Sequence, residues 1–262
     1  GDGAVYLFDG DRSGTHSPDD AAVTLSGSSN TGATVASAGD LDGDGLDELL
    51  IGAPSASGGG AAWLIAGPIT ADQSLSSANA WTATGWSSLM GAALSGLGDL
   101  DGDGYSDFAI GAPEADFYSG AVGIWFGDKI LPAPTDITNA DLSLTGDIGM
   151  LFGGDVHPAG DIDLDGLPDV VIGSGHGISG GGSAPVNDGP AEAYLFLSSG
   201  TLRSMTGSYS LDDADVRFEG PQRSFGLRAT GVGDISGDGR ADLFFSSGES
   251  AEENYLFFGT GE

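Results

Sequence analysis

Short apolar runs recur from one end of the chain to the other, each broken by Gly, Pro, Asp or Ser. AVYLF (4–8), AVTLSG (22–27), TGATVAS (31–37), AAWLIAG (61–67), AWTATG (80–85), GAVGIWFG (120–127), DLSLTG (141–146) and NYLFFG (254–259) mix β-branched and aromatic residues with small ones. Partial alternation between turn residues predicts strands and an all-β chain. Four further runs, LLIG (49–52), FAIG (108–111), VVIG (170–173) and LFFS (243–246), are apolar at nearly every position and read as fully buried strands. No run approaches the ~20 apolar residues that span a bilayer. Strand-like sequence begins at once, with no signal peptide in view, as expected of a mature or excised segment.

Each buried run is the tail of a repeated sixteen-residue stretch: GDLDGDGLDELLIGAP (39–54), GDLDGDGYSDFAIGAP (98–113), GDIDLDGLPDVVIGSG (160–175) and GDISGDGRADLFFSSG (233–248). With the first Asp as position 1, oxygen-bearing side chains fall at 1, 3, 5 and 9. These are Asp40, Asp42, Asp44 and Glu48; Asp99, Asp101, Asp103 and Asp107; Asp161, Asp163, Asp165 and Asp169; and Asp234, Ser236, Asp238 and Asp242. Alternate residues of a tight loop point at one centre, and the glycine at position 6 permits the sharp turn. Hard oxygen ligands at this density suit Ca²⁺, which takes about 6–8 oxygens. The variable residue at position 7 (Leu46, Tyr105, Leu167, Arg240) is expected to offer its backbone carbonyl.

A solvated acidic turn is the bland alternative. Clustered carboxylates repel by about 1 kcal/mol per pair at 4 Å in water, and more where the dielectric falls. Four such turns argue for a cation in each, weakest in the last, where Ser236 replaces an acid. The loop is not an EF-hand, which needs a bidentate Glu at position 12; that place holds Ile51, Ile110, Ile172 and Phe245. Nonapeptide Ca²⁺ repeats fail on period, because the first aspartates lie 59, 62 and 73 residues apart. At 100 times its dissociation constant each ion would stabilise the fold by about 2.7 kcal/mol. Against a total stability of about 5–15 kcal/mol, the expected role is structural.

Other landmarks keep step. A glycine stands eight residues before each first Asp (Gly32, Gly91, Gly153, Gly226), preceded by Thr31, Met90, Phe152 and Phe225. Ile-Gly-Ala-Pro closes the first two copies and decays in the others. This pattern, FG…GD-x-D-x-DG-x-x-D…IGAP, resembles the FG-GAP repeats of integrin α-subunit propellers and their bacterial relatives. The resemblance implies a β-propeller of four-stranded antiparallel blades. It implies structural Ca²⁺, up to four ions, in the hairpin between the first and second strands of each blade. Ligands would meet the opposite face.

Matched to that plan, the chain forms one domain. Residues 1–29 are the second half of a blade; 30–88, 89–148 and 149–222 are whole units; and 223–262 lacks an obvious fourth strand. Seventeen expected strands do not fill a whole number of blades. The expectation is a piece of a larger propeller, an irregular closing blade, or edges covered by neighbouring subunits in a surface assembly, since open edges invite aggregation. The third unit carries an insertion, GHGISGGGSAPVNDGP (175–190), on the ligand face. It reads as a mobile surface loop or, through His176 and Asn187, as part of a recognition surface.

Charge narrows the partners. Seven Lys and Arg stand against 39 Asp and Glu, a net charge of −32, and the loops supply only part of that acidity. Nucleic acid is excluded, because phosphate backbones need Lys and Arg. Carboxylate-rich Ca²⁺ sites of extracellular modules are weak, on the order of 10⁻⁴–10⁻³ M, and fill outside cells. Secretion or surface display is therefore expected, and the absence of cysteine looks bacterial or archaeal beside the disulfide-bearing integrins.

Trp63, Trp81, Trp125, Tyr6, Tyr194 and Tyr255 read as packing between blades, and Trp86 and Phe117–Tyr118 as exposed platforms. His157, with Asp155 two residues before it, reads as incidental, and no GxSxG, HExxH or phosphate-loop motif is present. The sequence predicts a non-enzymatic adhesion, protein-interaction or surface-assembly module without membrane insertion. Its rival is a carbohydrate-binding or polysaccharide-lyase propeller, which would need a base and a cationic group converging on one face.

Overall fold

A computed structural model of the chain describes residues 3–10, 13–27, 30–75, 80–82, 88–174, 191–200, 202, 207–220, 228–246 and 254–259. The fold is all-β. Strands β1 (Gly3–Leu7) and β2 (Val23–Gly27) form one antiparallel pair; β3 (Thr34–Gly39), β4 (Glu48–Ala53) and β5 (Ala61–Ile65) form a second sheet. Between β5 and the next sheet lies the short β6 (Gln73–Ser74). A third sheet holds β7 (Ala93–Gly98), β8 (Asp107–Ala112), β9 (Ala121–Trp125) and β10 (Leu142–Thr145) in sequence order. The fourth contains β11 (Phe152–Gly160), β12 (Asp169–Ser174), β13 (Glu192–Phe196) and β15 (Val216–Glu219), with β14 (Gly207–Ser210) leaving it for a neighbour. The last is β16 (Arg228–Gly231), β17 (Leu243–Ser246) and β18 (Asn254–Phe257).

The second strands explain their own uninterrupted hydrophobicity. Successive side chains of a strand point to opposite faces. Accordingly Ile51 packs with Val23, Leu25 and Trp63 on one side of its sheet, while Leu50 packs with Phe108, Ile110 and Trp125 on the other. Val170 and Ile172 join Val122, Ile124, Leu142, Tyr194 and Phe196, whereas Val171 faces Ala229 and Phe245. Each apolar core is thus a layer shared by two consecutive sheets. Strands covered on both faces need apolar side chains at every position.

The first strands β3, β7, β11 and β16 lie side by side in series. They line a common cavity of about 770 Å³. The repeated glycines set the distance between sheets. Gly91 has φ +84°, and a Cβ there would press on the Ala61 carbonyl at the start of β5; Gly153 (φ +82°) bears the same relation to Ala121 of β9. In return, a Cβ on Gly52 or Gly111 would strike the carbonyl oxygen of Gly91 or Gly153. The two sequence landmarks are therefore halves of one inter-sheet contact in which backbone meets backbone. The fourth copy, Phe225–Gly226, lies outside the described residues.

Three features depart from the expected plan. The sheets are not purely antiparallel: β6 adds to β2 in parallel, β14 adds to β10 in parallel, and Thr82 bridges Asp136 in parallel. In each case the connection between a third and a fourth strand runs along the outer edge of the preceding sheet before returning, while β1 and β18 remain edges of their described sheets. Second, the strand expected at 80–85 is reduced to bridges at Trp81 and Thr82, with 83–87 outside the described residues. Third, Tyr6 is 44% exposed rather than packed between sheets, because β1 has no described sheet on its outer side. Trp63, Trp81, Trp125 and Tyr194 are buried as expected, and Tyr255 is partly so. Trp86 and the insertion 175–190, with His176 and Asn187, lie outside the described residues.

Candidate metal centres

Each acidic loop joins a first strand to a second and is built from its own carboxylates. Asp40 Oδ1 accepts from the N–H groups of Gly43 (2.7 Å) and Asp44 (3.1 Å), and its Oδ2 from Gly45 (3.0 Å). Asp99 repeats this with Gly102, Asp103 and Gly104, and Asp234 with Gly237, Asp238 and Gly239. Asp161 keeps the bonds from Asp165 and Gly166. In that loop position 4 is Leu164, which holds φ +66° where the other loops have glycine.

Three of the loops bring carboxylates to a point. One oxygen each from Asp40, Asp42 and Glu48 lies within 4.8 Å of the others; so do those of Asp99, Asp101 and Asp107, and of Asp161, Asp163 and Asp169. The fifth-position acids Asp44, Asp103 and Asp165 fall outside these triplets. Each instead accepts from the N–H of position 7 (Leu46, Tyr105, Leu167), as Asp238 does from Arg240. In the last loop Asp234, Ser236 and Asp242 occupy the triplet positions, with Ser236 Oγ 3.4 Å from Asp234 Oδ1.

Position 9 does more than the sequence indicates. Asp107 is fully buried; its two oxygens accept from Leu100 N–H (2.6 Å) and Gly127 N–H (2.8 Å). Glu48 takes Leu41 and Gly67, Asp169 takes Ile162 and Ser198, and Asp242 takes Ile235 and Gly259. In every unit this acid ties the loop to the backbone two residues past the third strand. The only trace of that partner in the sequence is a small residue, Gly67, Gly127, Ser198 or Gly259. At Gly127 and Gly259 a Cβ would press on neighbouring carbonyl oxygens.

Burial pushes Asp107 up to about 7 and Asp169 up to about 6, despite the N–H bonds that favour their ionised forms. Glu48 is raised by burial as well. Asp101 is raised by desolvation and by Asp103 beside it. At Asp242 desolvation acts in the same sense, but the N–H groups of Gly259, Ser236 and Ile235 outweigh it and the pKa falls. Each triplet sets one buried carboxylate beside two more accessible ones, acidic groups positioned to hold a metal. The all-oxygen donor set fits a hard divalent cation, whose charge would offset the penalty on ionising the buried acid.

Acidic hairpins between first and second strands, on sheets stacked face to face beside one cavity, define a repeat protein of the β-propeller class. The chain carries FG-GAP repeats, and residues 31–65 and 90–125 match that repeat family. It is 33% identical over 151 residues to Integrin alpha-PS2 of Drosophila melanogaster, covering 52% of this chain and 11% of that one. It is 34% identical over 151 residues to Integrin alpha-4 of Xenopus laevis, covering 55% and 14%. Integrin alpha-X of Mus musculus is 39% identical over 87 residues, covering 32% of this chain and 7% of the relative. The matched stretch thus spans at most about a seventh of these integrin subunits.

Proposed function

We propose that the chain is a Ca²⁺-stabilised, extracellular β-propeller that serves as an adhesion or protein-interaction module and performs no catalysis. The reading rests above all on the triplets Asp40–Asp42–Glu48, Asp99–Asp101–Asp107 and Asp161–Asp163–Asp169, repeated in register. Ca²⁺ at each completes its shell with the fifth-position acid, the carbonyl of position 7 (Leu46, Tyr105, Leu167) and water. Asp234, Ser236, Asp238, Arg240 and Asp242 form the weakest site. Residues 1–262 act as one domain, with units divided at 30, 89, 149 and 223. The ion's role is structural: it fixes the hairpin between the first and second strands of its sheet. No helix among the described residues is long and apolar enough to cross a membrane.

A protein ligand or a surface-assembly partner docks on the face opposite the loops. Support comes from Phe117, 76% exposed in the turn between β8 and β9, and from Ile148, 67% exposed between β10 and β11. Two measurements test the proposal. Thermal melts should show a rise of several degrees with Ca²⁺, little with Mg²⁺, and reversal by EGTA. Beads coated with the chain should adhere to protein-coated surfaces in Ca²⁺ and detach in EGTA. Melts indifferent to Ca²⁺ refute the metal assignment, and adhesion that never depends on the folded chain refutes the module.

A further inference from the structure

The acidic loops repeat faithfully, whereas the cavity lined by the first strands does not. Six residues before each first Asp stand Thr34, Ala93, Asp155 and Arg228; four before stand Ala36, Ser95, His157 and Thr230. Ionisable side chains enter these positions only on the adjacent strands β11 and β16. Asp155, His157 and Arg228 all line the cavity. A repeat that breaks its own pattern in two neighbouring units, with polar groups converging on one space, is where function is expected.

The groups have defined roles. Asp155 is buried; its Oδ1 lies 3.1 Å from His157 Nε2 and its Oδ2 accepts from Ala229 N–H at 2.8 Å. One oxygen thus meets the imidazole, whose side chain is 40% exposed, while the other ties the carboxylate to β16. Arg228 precedes Ala229 on the same strand and sits opposite Ser246 on β17. Among the described residues, Arg217 is paired with Glu192 and Glu219, and the Arg240 guanidinium donates to the Ile162 carbonyl at 2.8 Å. Arg228 has no such ion pair among them.

We propose that this cavity binds a small organic monocarboxylate with an apolar body. Its volume of about 770 Å³ falls in the range of ligand pockets, roughly 300–1,000 Å³. Arg228 takes the carboxylate through its forked N–H groups, and the imidazole of His157 offers a second polar contact beside it. Val35, Leu89, Leu94 and Leu151 supply the apolar wall. The wall also carries Glu114 and Asp155. That balance of charge favours a monoanion over a phosphate, whose second charge both acids would repel. This site is separate from the acidic loops; Pro113, Glu114 and Leu151 of its wall lie in the same connections as Phe117 and Ile148.

Hexanoate is the probe, hexanamide its neutral match, and the Ca²⁺-loaded full chain the sample. Calorimetry should show saturable hexanoate binding with hexanamide at least tenfold weaker. The His157 imidazole resonances should shift on titration. Arg228→Gln should weaken hexanoate about tenfold, while Lys129→Gln, removing an equal charge elsewhere, should change nothing. Unaltered melting of both variants verifies folding. Failure of hexanoate to saturate, equal affinity for the amide, or unchanged binding by Arg228→Gln overturns the proposal. If binding persists in Arg228→Gln and vanishes with EGTA, the carboxylate is meeting a loop cation instead, and the cavity assignment is wrong.

Discussion

The backbone N–H of Ser106 donates to the carbonyl of Asp40 at 3.0 Å, joining position 8 of one acidic loop to position 1 of the loop before it. Ala241 does the same to Asp161 at 3.1 Å. Between the second and third loops this joint cannot form, because position 8 is Pro168, which has no N–H. The proline ring lies where a Cβ on Gly98 would meet it, at 3.3 Å. The loops are therefore coupled in two pairs rather than as one chain of four. Asp42→Asn should weaken Ca²⁺ binding in its own loop and, through Ser106, in the second. Asp163→Asn should leave the second loop unchanged. Site-resolved amide shifts of Gly45 and Gly104 during Ca²⁺ titration check both outcomes.

Leu164 carries a left-handed backbone at φ +66°, with its side chain 52% exposed. An L-residue with a Cβ pays about 1–2 kcal/mol there, and glycine does not. Leu164→Gly should stabilise the Ca²⁺-bound fold by about 1 kcal/mol, the added flexibility of the unfolded chain offsetting part of the gain. Urea unfolding in saturating Ca²⁺ measures it. A loss of stability would mean that the leucine packs more than its exposure indicates.

The inter-sheet contact predicts a sharp contrast between glycines. Gly111→Ala would drive a methyl into the Gly153 carbonyl, a backbone atom with no rotamer to yield. Overpacking of this kind costs about 1–3 kcal/mol or more. Gly10→Ala meets nothing within 4 Å and should be neutral or slightly stabilising. Paired thermal melts decide the matter, and equal effects would refute the contact as the spacer between sheets.

Acid should help the metal-free protein. The folded-state pKa of Asp107 is pushed up to about 7 and that of Asp169 up to about 6, against an ordinary value of 3.8. Between these limits the folded state binds more protons than the unfolded one, so the contribution of these groups to stability is full below about pH 4 and is lost as pH rises through 6 and 7. In EGTA, melting should therefore be higher at pH 5 than at pH 7.5. Ca²⁺, which needs ionised ligands, should raise the melting temperature more at pH 7.5 than at pH 5. Calorimetric scans with and without Ca²⁺ give the four values needed.

The sequence by itself determined the all-β class, the acidic hairpins and the buried second strands. These are local: alternation places Leu50 and Ile51 on opposite faces of one strand, and Asp40 closes its loop with N–H groups three to five residues away. Only the tertiary structure decided what meets across the sheets. Gln73–Ser74 and Gly207–Ser210 carry no hydrophobic period, so their parallel pairing on the edges of other sheets had no signature in the residues. The partners of Asp107, the joint from Ser106 to Asp40 and the gathering of His157 with Arg228 likewise depend on backbone atoms or on neighbours tens of residues distant. Side-chain pattern records which face a residue must bury, but not which backbone group will arrive there, because every residue offers the same N–H and C=O and packing alone selects among them.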